Sequence, residues 1–514
     1  MLARKFAYSL INWNVRNMSL LSVISTKPLN FIDGKRNDPT DFHNEIPVKY
    51  PATDETIHKL KCSNQKEVER AVKSANAAFL NWSKFSYQQR GQLLKSAAQK
   101  IRENLETIAQ MEVIDTGKPI WEARVDIAGC ADVIDYYGGL APTIKGYHHQ
   151  LPGGSFAMVT HEPLGVVAGI GAWNYPFQVM SWKLAPALVC GNTFVYKPSQ
   201  LTPLTSVVLA EIMAEVGIPD GVVNVIQGDG ETGNILCHHP LVSKVTFTGS
   251  ISTGQKIMKA CAEGIKKVTL ELGGKSPLIV FRSCDIKEAV KATLLGNFLT
   301  QGEVCSNCTR VFVEKSISKE FIDELLNSTK NMIIGDPTDE KTTVGAMISE
   351  EHGEKVLKYI ETAKNEGAHV LCGGERIIFE NSPLSKGFFI TPCILIDCRD
   401  DMTVVKEEIF GPVVSVLTFE TEEEALLRAN STPYGLAAGV MSKDIKQAHR
   451  VASSIQAGIV WINNYNIFPP EIPFGGYKKS GFGRENGLAA INDFSQLKSI
   501  YVEMNGIDCP IYKE

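Results

Sequence analysis

The residue types that could do chemistry lie in three separated stretches. Residues 297–310 (NFLTQGEVCSNCTR) set Cys305 after a Gly-Glu-Val turn, between an apolar helical segment and a strand-like run over 311–313. A thiol at such a junction can face a cleft. Upstream, 268–277 (VTLELGGKSP) puts Glu271 at a strand end before a Gly-Gly turn. A thiolate that attacks and a carboxylate that then activates water make a pair for covalent catalysis. Residues 169–177 (GIGAWNYPF) add Asn174, whose side-chain amide can donate to an oxyanion. By residue type alone a cysteine is more often buried and inert. Cys305 and Cys308 also make a CxxC, which keeps a thiol oxidoreductase as a rival reading. A zinc site would need a second CxxC or an HxxxH to complete its shell, and none follows, so no metal is expected.

Groups so far apart need a framework that brings strand ends together, and the patterning supplies one. From Asn64, with Glu67 as capping partner, Val68, Ala71, Val72, Ala75 and Phe79 keep helical spacing. Leu94, Ala97, Ile101, Leu105, Ile108 and Met111 predict a single second helix that stops near Gly117 and Pro119. Glu112 and Asp115, one turn apart near its end, can share a face. A short strand is expected within 151–163. Strands over 166–172, 193–196, 222–226 and 244–248 then alternate with helices after Asn174, over 205–216 and after Gly233. This alternation predicts an α/β fold with a parallel sheet covered by helices, open and suited to a dinucleotide. It repeats from Leu278, with a helix over 286–299, a strand over 310–313 and helices near 321–332 and 354–366. Residues 228–233 (GDGETG) fit GxGxxG between a strand and a helix and make Gly230 a cofactor candidate. The acid expected about 20 residues later is missing, so the stretch reads first as a tight turn.

Size and composition set the limits. At 514 residues the chain exceeds one hydrophobic core, which predicts two or more domains. With 44% hydrophobic and 21% charged residues it reads as globular. A net charge of -5 without basic blocks gives no reason to expect nucleic acid. No apolar run approaches the ~18 residues of a membrane span. Twelve scattered cysteines fit a reducing compartment better than a secreted disulfide scaffold. Near the start, Arg4, Lys5, Arg16 and Lys27 are basic, and Leu2, Phe6, Leu10 and Trp13 can share one helical face, as in a mitochondrial presequence. A dispensable tail is the alternative reading. The expected location is the cytosol, or the mitochondrial matrix if residues 1 to about 20 are a cleaved presequence.

Four ordered motifs, TLELGGKSP, FLTQGEVC, KEEIFGPVVS (406–415) and PFGGYKKSGFGRENG (473–487), resemble the aldehyde dehydrogenase superfamily, most closely its aminoaldehyde and betaine-aldehyde branch. The resemblance runs from about residue 45 to 504. It implies a Rossmann-like NAD domain (31–142 and 164–273), an α/β catalytic domain (274–482) and a small β oligomerisation element (143–163 and 483–514) behind a leader or tail (1–30). The strand near 496–504 would join subunits, with a homotetramer expected. By the same resemblance Cys305 is the nucleophile, Glu271 the general base and Asn174 an oxyanion donor, with Lys183 and Glu485 near the proton path. Lys197 would hold the adenosine ribose and Gly249, Ser250, Thr253 and Gly254 the phosphates, while Glu408 and Phe410 would grip the nicotinamide ribose and ring. Tyr175, Trp182 and Phe474 would line the aldehyde tunnel, their faces attracting a quaternary ammonium that Glu112 and Asp115 neutralise.

The implied reaction is NAD-dependent oxidation of 4-trimethylaminobutyraldehyde and related aminoaldehydes to free acids through a cysteine thiohemiacetal and thioester. Glu271 separates it from relatives that pass the acyl group to coenzyme A and tend to lack that residue. Betaine aldehyde or aliphatic aldehydes at large are the nearest alternatives, and a non-enzymatic dinucleotide-binding protein is the alternative of another class. Four positions depart from the family pattern. Glu303 stands where Gln is frequent, and its charge is expected to raise the Cys305 pKa. Cys308 replaces a common Gly. Gln200 stands where many NAD-preferring members carry Glu, which leaves NADP tolerance open. Leu299 sits where plant relatives place Trp.

Overall fold

Strands made of unbroken Val, Ile and Ala runs have no polar face to give to water, so they settle at the centre of a parallel sheet with helices on both sides. Val166–Ile170 (VVAGI) comes nearest to this kind, and it and its neighbour Thr193–Lys197 are buried along their whole length. The protein is described here by a computed structural model covering residue 27 and residues 29–511. The basic N-terminal stretch with Leu2, Phe6, Leu10 and Trp13 lies outside the described residues.

Among the described residues the strands form an eight-stranded sheet, a seven-stranded sheet, a three-stranded sheet and two two-stranded pairs. The parallel centre of the first sheet runs Val223–Val225, Thr193–Lys197, Val166–Ile170, Val242–Thr248, Lys267–Glu271. The order reverses at Val166–Ile170, the first of these strands in sequence. Crevices outside the carboxyl ends of strands at such a switch point are where α/β sheets bind ligands. Gly481–Phe482 returns from far downstream to pair antiparallel with Leu270 and Glu271. In the second sheet Pro277–Val280, Arg310–Glu314, Val413–Phe419 and Cys393–Ile396 lie parallel, with Ala437–Met441 and Ile459–Ile462 continuing on the far side.

Asn64 caps the helix Gln65–Trp82 by accepting from the Lys66 and Glu67 backbone N–H groups, as its sequence position predicts. The single helix expected through Met111 is instead two, Tyr87–Glu103 and Leu105–Thr116. The apolar spacing runs on across the joint. At Asn104 the backbone leaves the helical region (φ -114, ψ 15), and its side-chain amide donates to the Lys100 carbonyl at 2.8 Å, ending the first helix. Leu105–Thr116 ends at Gly117 in the left-handed region (φ 75), where a Cβ would come within 2.8 Å of the Ala346 carbonyl oxygen.

Ser495–Val502 pairs antiparallel with Phe156–Pro163, which pairs in turn with Tyr147–Gln150. This ribbon stands out from the core, with Leu497, Ile500, Tyr501 and Met158 exposed. No helix of the described residues is long and apolar enough to cross a membrane.

Candidate active site

The chain passes from the first sheet to the second through 272–276, and a cleft of about 720 Å³ opens between the carboxyl ends of the first sheet's strands and the amino ends of the second's. Asn174 follows Val166–Ile170, Lys197 ends its strand, Gly249 follows Val242–Thr248 and Glu271 ends Lys267–Glu271; all line the cleft. Cys305, ahead of Arg310–Glu314, and Glu408 and Phe410, ahead of Val413–Phe419, line it from the other side.

Cys305 is half-buried at the end of a forced turn. Thr300, Gln301 and Gly302 all have positive φ (45, 52 and 76), and a Cβ on Gly302 would lie 2.2 Å from the Gly411 carbonyl, so only glycine fits there. The Thr300 backbone N–H and hydroxyl both donate to one oxygen of buried Glu122, at 2.8 and 2.9 Å, which holds the unusual conformation. Burial, with the charges of Glu408 and Glu271, pushes the Cys305 thiol up to about 12. Glu303 is not the cause. Its carboxyl is buried, its pKa raised well above the usual range by desolvation, and it accepts the Ile348 N–H at 3.1 Å.

One N–H of the Asn174 amide donates to the Glu303 carbonyl at 2.9 Å, which fixes the amide beside the turn that carries Cys305. Both Glu271 carboxylate oxygens are buried without a hydrogen-bond partner among the described residues. Desolvation and then the nearby Glu485 charge raise its pKa well above the ordinary carboxylate value. Lys183 donates to Glu485 and, at 2.6 Å, to the Thr248 hydroxyl. A backbone bridge between Phe474 and Glu485 and the Gly481–Phe482 strand together press this segment against Glu271.

The cofactor side is built from strand ends and helix starts. Ser250 caps Ile251–Glu263, accepting from the Thr253 N–H at 3.3 Å. Gly230 lines the cleft with open space where a Cβ would be, and Asp229 caps its helix, so 228–233 is both a tight turn and a cleft wall. Lys197 donates to the Pro198 and Gly228 carbonyls at 2.7 and 2.9 Å, and burial lowers its pKa to about 8. Glu408 accepts the Gly274 N–H at 3.1 Å, and burial raises it to about 7. Phe410 has a positive φ of 61 and sets its ring edge-on to Trp173 at 5.1 Å. Glycine walls, a capped helix start and a lysine at a strand end fit an extended phosphate-linked ligand.

The chain from 38 to 500 matches the model of the "Aldehyde dehydrogenase family". It belongs to that family. Among its relatives it is 54% identical over 493 residues to "4-trimethylaminobutyraldehyde dehydrogenase A" of Danio rerio, covering 96% of this chain and 97% of that protein. It is 53% identical to "4-trimethylaminobutyraldehyde dehydrogenase" of Homo sapiens, covering 96% and 99%. Betaine aldehyde dehydrogenase from Staphylococcus aureus, solved in complex with NAD+, superposes with a TM-score of 0.91 at 38% identity, covering 95% of this chain and 97% of that one. The α/β fold is thus that of the aldehyde dehydrogenases, with a Rossmann-like sheet and a second parallel sheet.

Within this aldehyde dehydrogenase several side chains are placed differently from expectation. Asp115 is fully buried and accepts the Leu204 and Thr205 N–H groups at 2.9 and 3.4 Å through Oδ2, so it holds the start of the helix Thr205–Glu215. Glu112 is also fully buried. Burial lifts its carboxyl to about 7, and its nearest cation is the chain's own Lys118, at 3.8 Å. Lys118 also lies over the Tyr175 ring at 3.7 Å and contacts Asp126 at 2.7 Å, so one face of Tyr175 is already taken by an ammonium. Gly254 packs on Leu272, where a Cβ would be 2.7 Å from a methyl group, and does not line the cleft. Trp182 and Phe474 do meet, edge to face at 5.6 Å, around Phe468, which lies 5.9 Å from the first and 5.4 Å from the second. Phe468, Glu122 and Asp126 escaped the sequence reading because none sits in a motif, and Trp173, although inside residues 169–177, escaped it because its partner Phe410 lies far along the chain.

Proposed function

We propose that this chain oxidises 4-trimethylaminobutyraldehyde and related aminoaldehydes to the free acids with NAD. One observation carries the chemistry: a half-buried thiol and a partnerless buried carboxyl line one cleft, on turns from two facing sheets. Deprotonated Cys305 forms a bond to the aldehyde carbon, and the resulting oxyanion is held by the second Asn174 amide proton and the Cys305 N–H. NAD, held by Lys197, Gly230, Gly249, Ser250, Thr253, Glu408 and Phe410, supplies the hydride acceptor. Glu271 takes a proton from the water that cleaves the thioester, and Lys183 with Glu485 passes it on. Gln200 at the cleft wall supports some tolerance of NADP.

The substrate class follows from the relatives' names and from the aromatic cluster of Trp182, Phe468 and Phe474, whose ring faces attract a trimethylammonium group. Betaine aldehyde shares that group and is the second reading. The reading also comprises the domain division given above, a homotetramer joined through the strand Ser495–Val502, and a cytosolic location, which twelve unpaired thiols support.

A panel of 4-trimethylaminobutyraldehyde, betaine aldehyde and hexanal, followed by NADH formation, tests the proposal. The first should give the highest kcat/KM. Phe468→Ala should cost the cationic aldehydes about 1 to 2 kcal/mol more than hexanal, or roughly 5- to 30-fold in relative kcat/KM. Equal losses on all three substrates would remove the cation site from the account.

A further inference from the structure

The β-hairpin Phe42–Tyr50 and Glu55–Ser63 lies against the cofactor loop 228–233, and its register shifts between Phe42 and Asn44. His43 is the extra residue at that bulge. Bulges re-aim a side chain, and this one turns the imidazole onto Asp229, with Nε2 at 3.0 Å from Oδ1 and 3.2 Å from Oδ2. The Cys62 sulfur completes the group: the three donor atoms lie within 4.8 Å of one another. Glu231 Oε2 stands 3.7 Å from His43 Nε2.

We propose that His43, Cys62 and Asp229, with Glu231 as fourth donor, bind a zinc-type transition-metal dication. The set is one sulfur, one imidazole nitrogen and two carboxylates, the ligands such ions take in tetrahedral sites; the first three donors are close enough to reach one ion at the ~2.0 to 2.3 Å that zinc requires, and the exposed Glu231 side chain is free to swing in from its place beside His43. Cys62 is buried, whereas the His43 and Asp229 side chains are about one-fifth exposed, so the site opens to solvent on one side. On binding, the Cys62 thiol releases its proton to water and the sulfur forms the metal bond; no redox change is involved. Asp229 keeps its cap through Oδ1, which accepts the Glu231 and Thr232 N–H groups, and offers Oδ2 to the metal.

The site adjoins the cofactor wall. Gly230 and Gly233 line the cleft, and Gly228 accepts from Lys197.

The test is a cobalt(II) titration of the chelator-treated full chain, followed by the near-ultraviolet thiolate-to-cobalt charge-transfer band. The proposal expects a band that saturates at one equivalent, is displaced by zinc, is absent in Cys62→Ser and forms at least about tenfold more weakly in His43→Ala. His43 is at the surface, so its variant reports even if Cys62→Ser misfolds, and far-ultraviolet circular dichroism checks both. No band in the wild type, a band unchanged in both variants, or one lost only in Cys62→Ser would overturn it, leaving His43 and Asp229 as an ion pair that ties the hairpin to the loop.

Discussion

At the scale of single residues the free enzyme holds its nucleophile in reserve. Cys305 is pushed up to about 12 by burial first and by the Glu408 and Glu271 charges after it. A thiol with a raised pKa is mostly protonated at neutral pH, and its thiolate grows about tenfold per pH unit below that value. Iodoacetamide should therefore label Cys305 in the cofactor-free enzyme slowly at pH 7 and faster as pH rises, read by mass spectrometry of the 305 peptide. Glu408→Gln removes a negative neighbour and should speed labelling about 3- to 10-fold, the effect of half to one pKa unit. Labelling that is fast at pH 7 and indifferent to Glu408 would show the thiol is not so held. Cys305, Glu271 and Asn174 were legible in the sequence because each sits in a turn at a strand end, where glycines and a pattern break mark the spot. The surroundings of Glu303 were not: its charge was expected beside the thiol, but only the fold shows it buried, raised in pKa by desolvation and bonded to the Ile348 N–H. Cys308 likewise lies in the core, its sulfur 3.5 Å from the Asn297 amide, a burial that its place in a CxxC does not reveal.

At the scale of elements, one buried carboxylate holds the start of a distant helix. The helix Thr205–Glu215 has no side-chain cap of its own, since Leu204 stands at its start. Asp115, from the distant helix Leu105–Thr116, supplies the acceptor instead. Asp115→Ala should lower unfolding stability by about 1 to 3 kcal/mol, the cost of leaving buried backbone donors unpaired, and leave the preference for cationic over neutral aldehydes unchanged. Denaturant unfolding together with the substrate panel decides, and a changed preference without lost stability would return Asp115 to the substrate site. The helices and strands that the sequence marked were legible from apolar spacing and from the alternation of strand and helix signals, whereas the helix Ile120–Leu140 and the hairpin Phe42–Tyr50 and Glu55–Ser63 were not. The joint at Asn104 was not, because apolar spacing continues across it and the break comes from a side chain bonding back to Lys100. The aromatic cluster was only half legible, since Phe468 lies in a loop whose packing against Trp182 is purely tertiary.

At the scale of the whole molecule, the account depends on two sheets meeting end to end. The first brings Glu271 and the dinucleotide wall, the second brings Cys305, Glu408 and Phe410, and neither makes the site alone. The antiparallel ribbon with exposed Leu497, Ile500 and Tyr501 is too thin to bury an apolar face by itself. If it joins subunits, Ile500→Asp should shift the protein to a smaller species in sedimentation velocity, whereas an unchanged mass would place the interface elsewhere. Sequence could show that two α/β units exist, but not that the carboxyl ends of one face the amino ends of the other, because no local pattern records how sheets are stacked. The most direct test of the central claim is rapid-mixing NADH formation by Glu271→Gln with 4-trimethylaminobutyraldehyde and NAD, alongside Cys305→Ala. The account predicts a burst of about one NADH per subunit and then slow turnover in Glu271→Gln, as acylation proceeds and hydrolysis stalls, with no NADH from Cys305→Ala. Absence of the burst in Glu271→Gln, or steady NADH formation by Cys305→Ala, would contradict it.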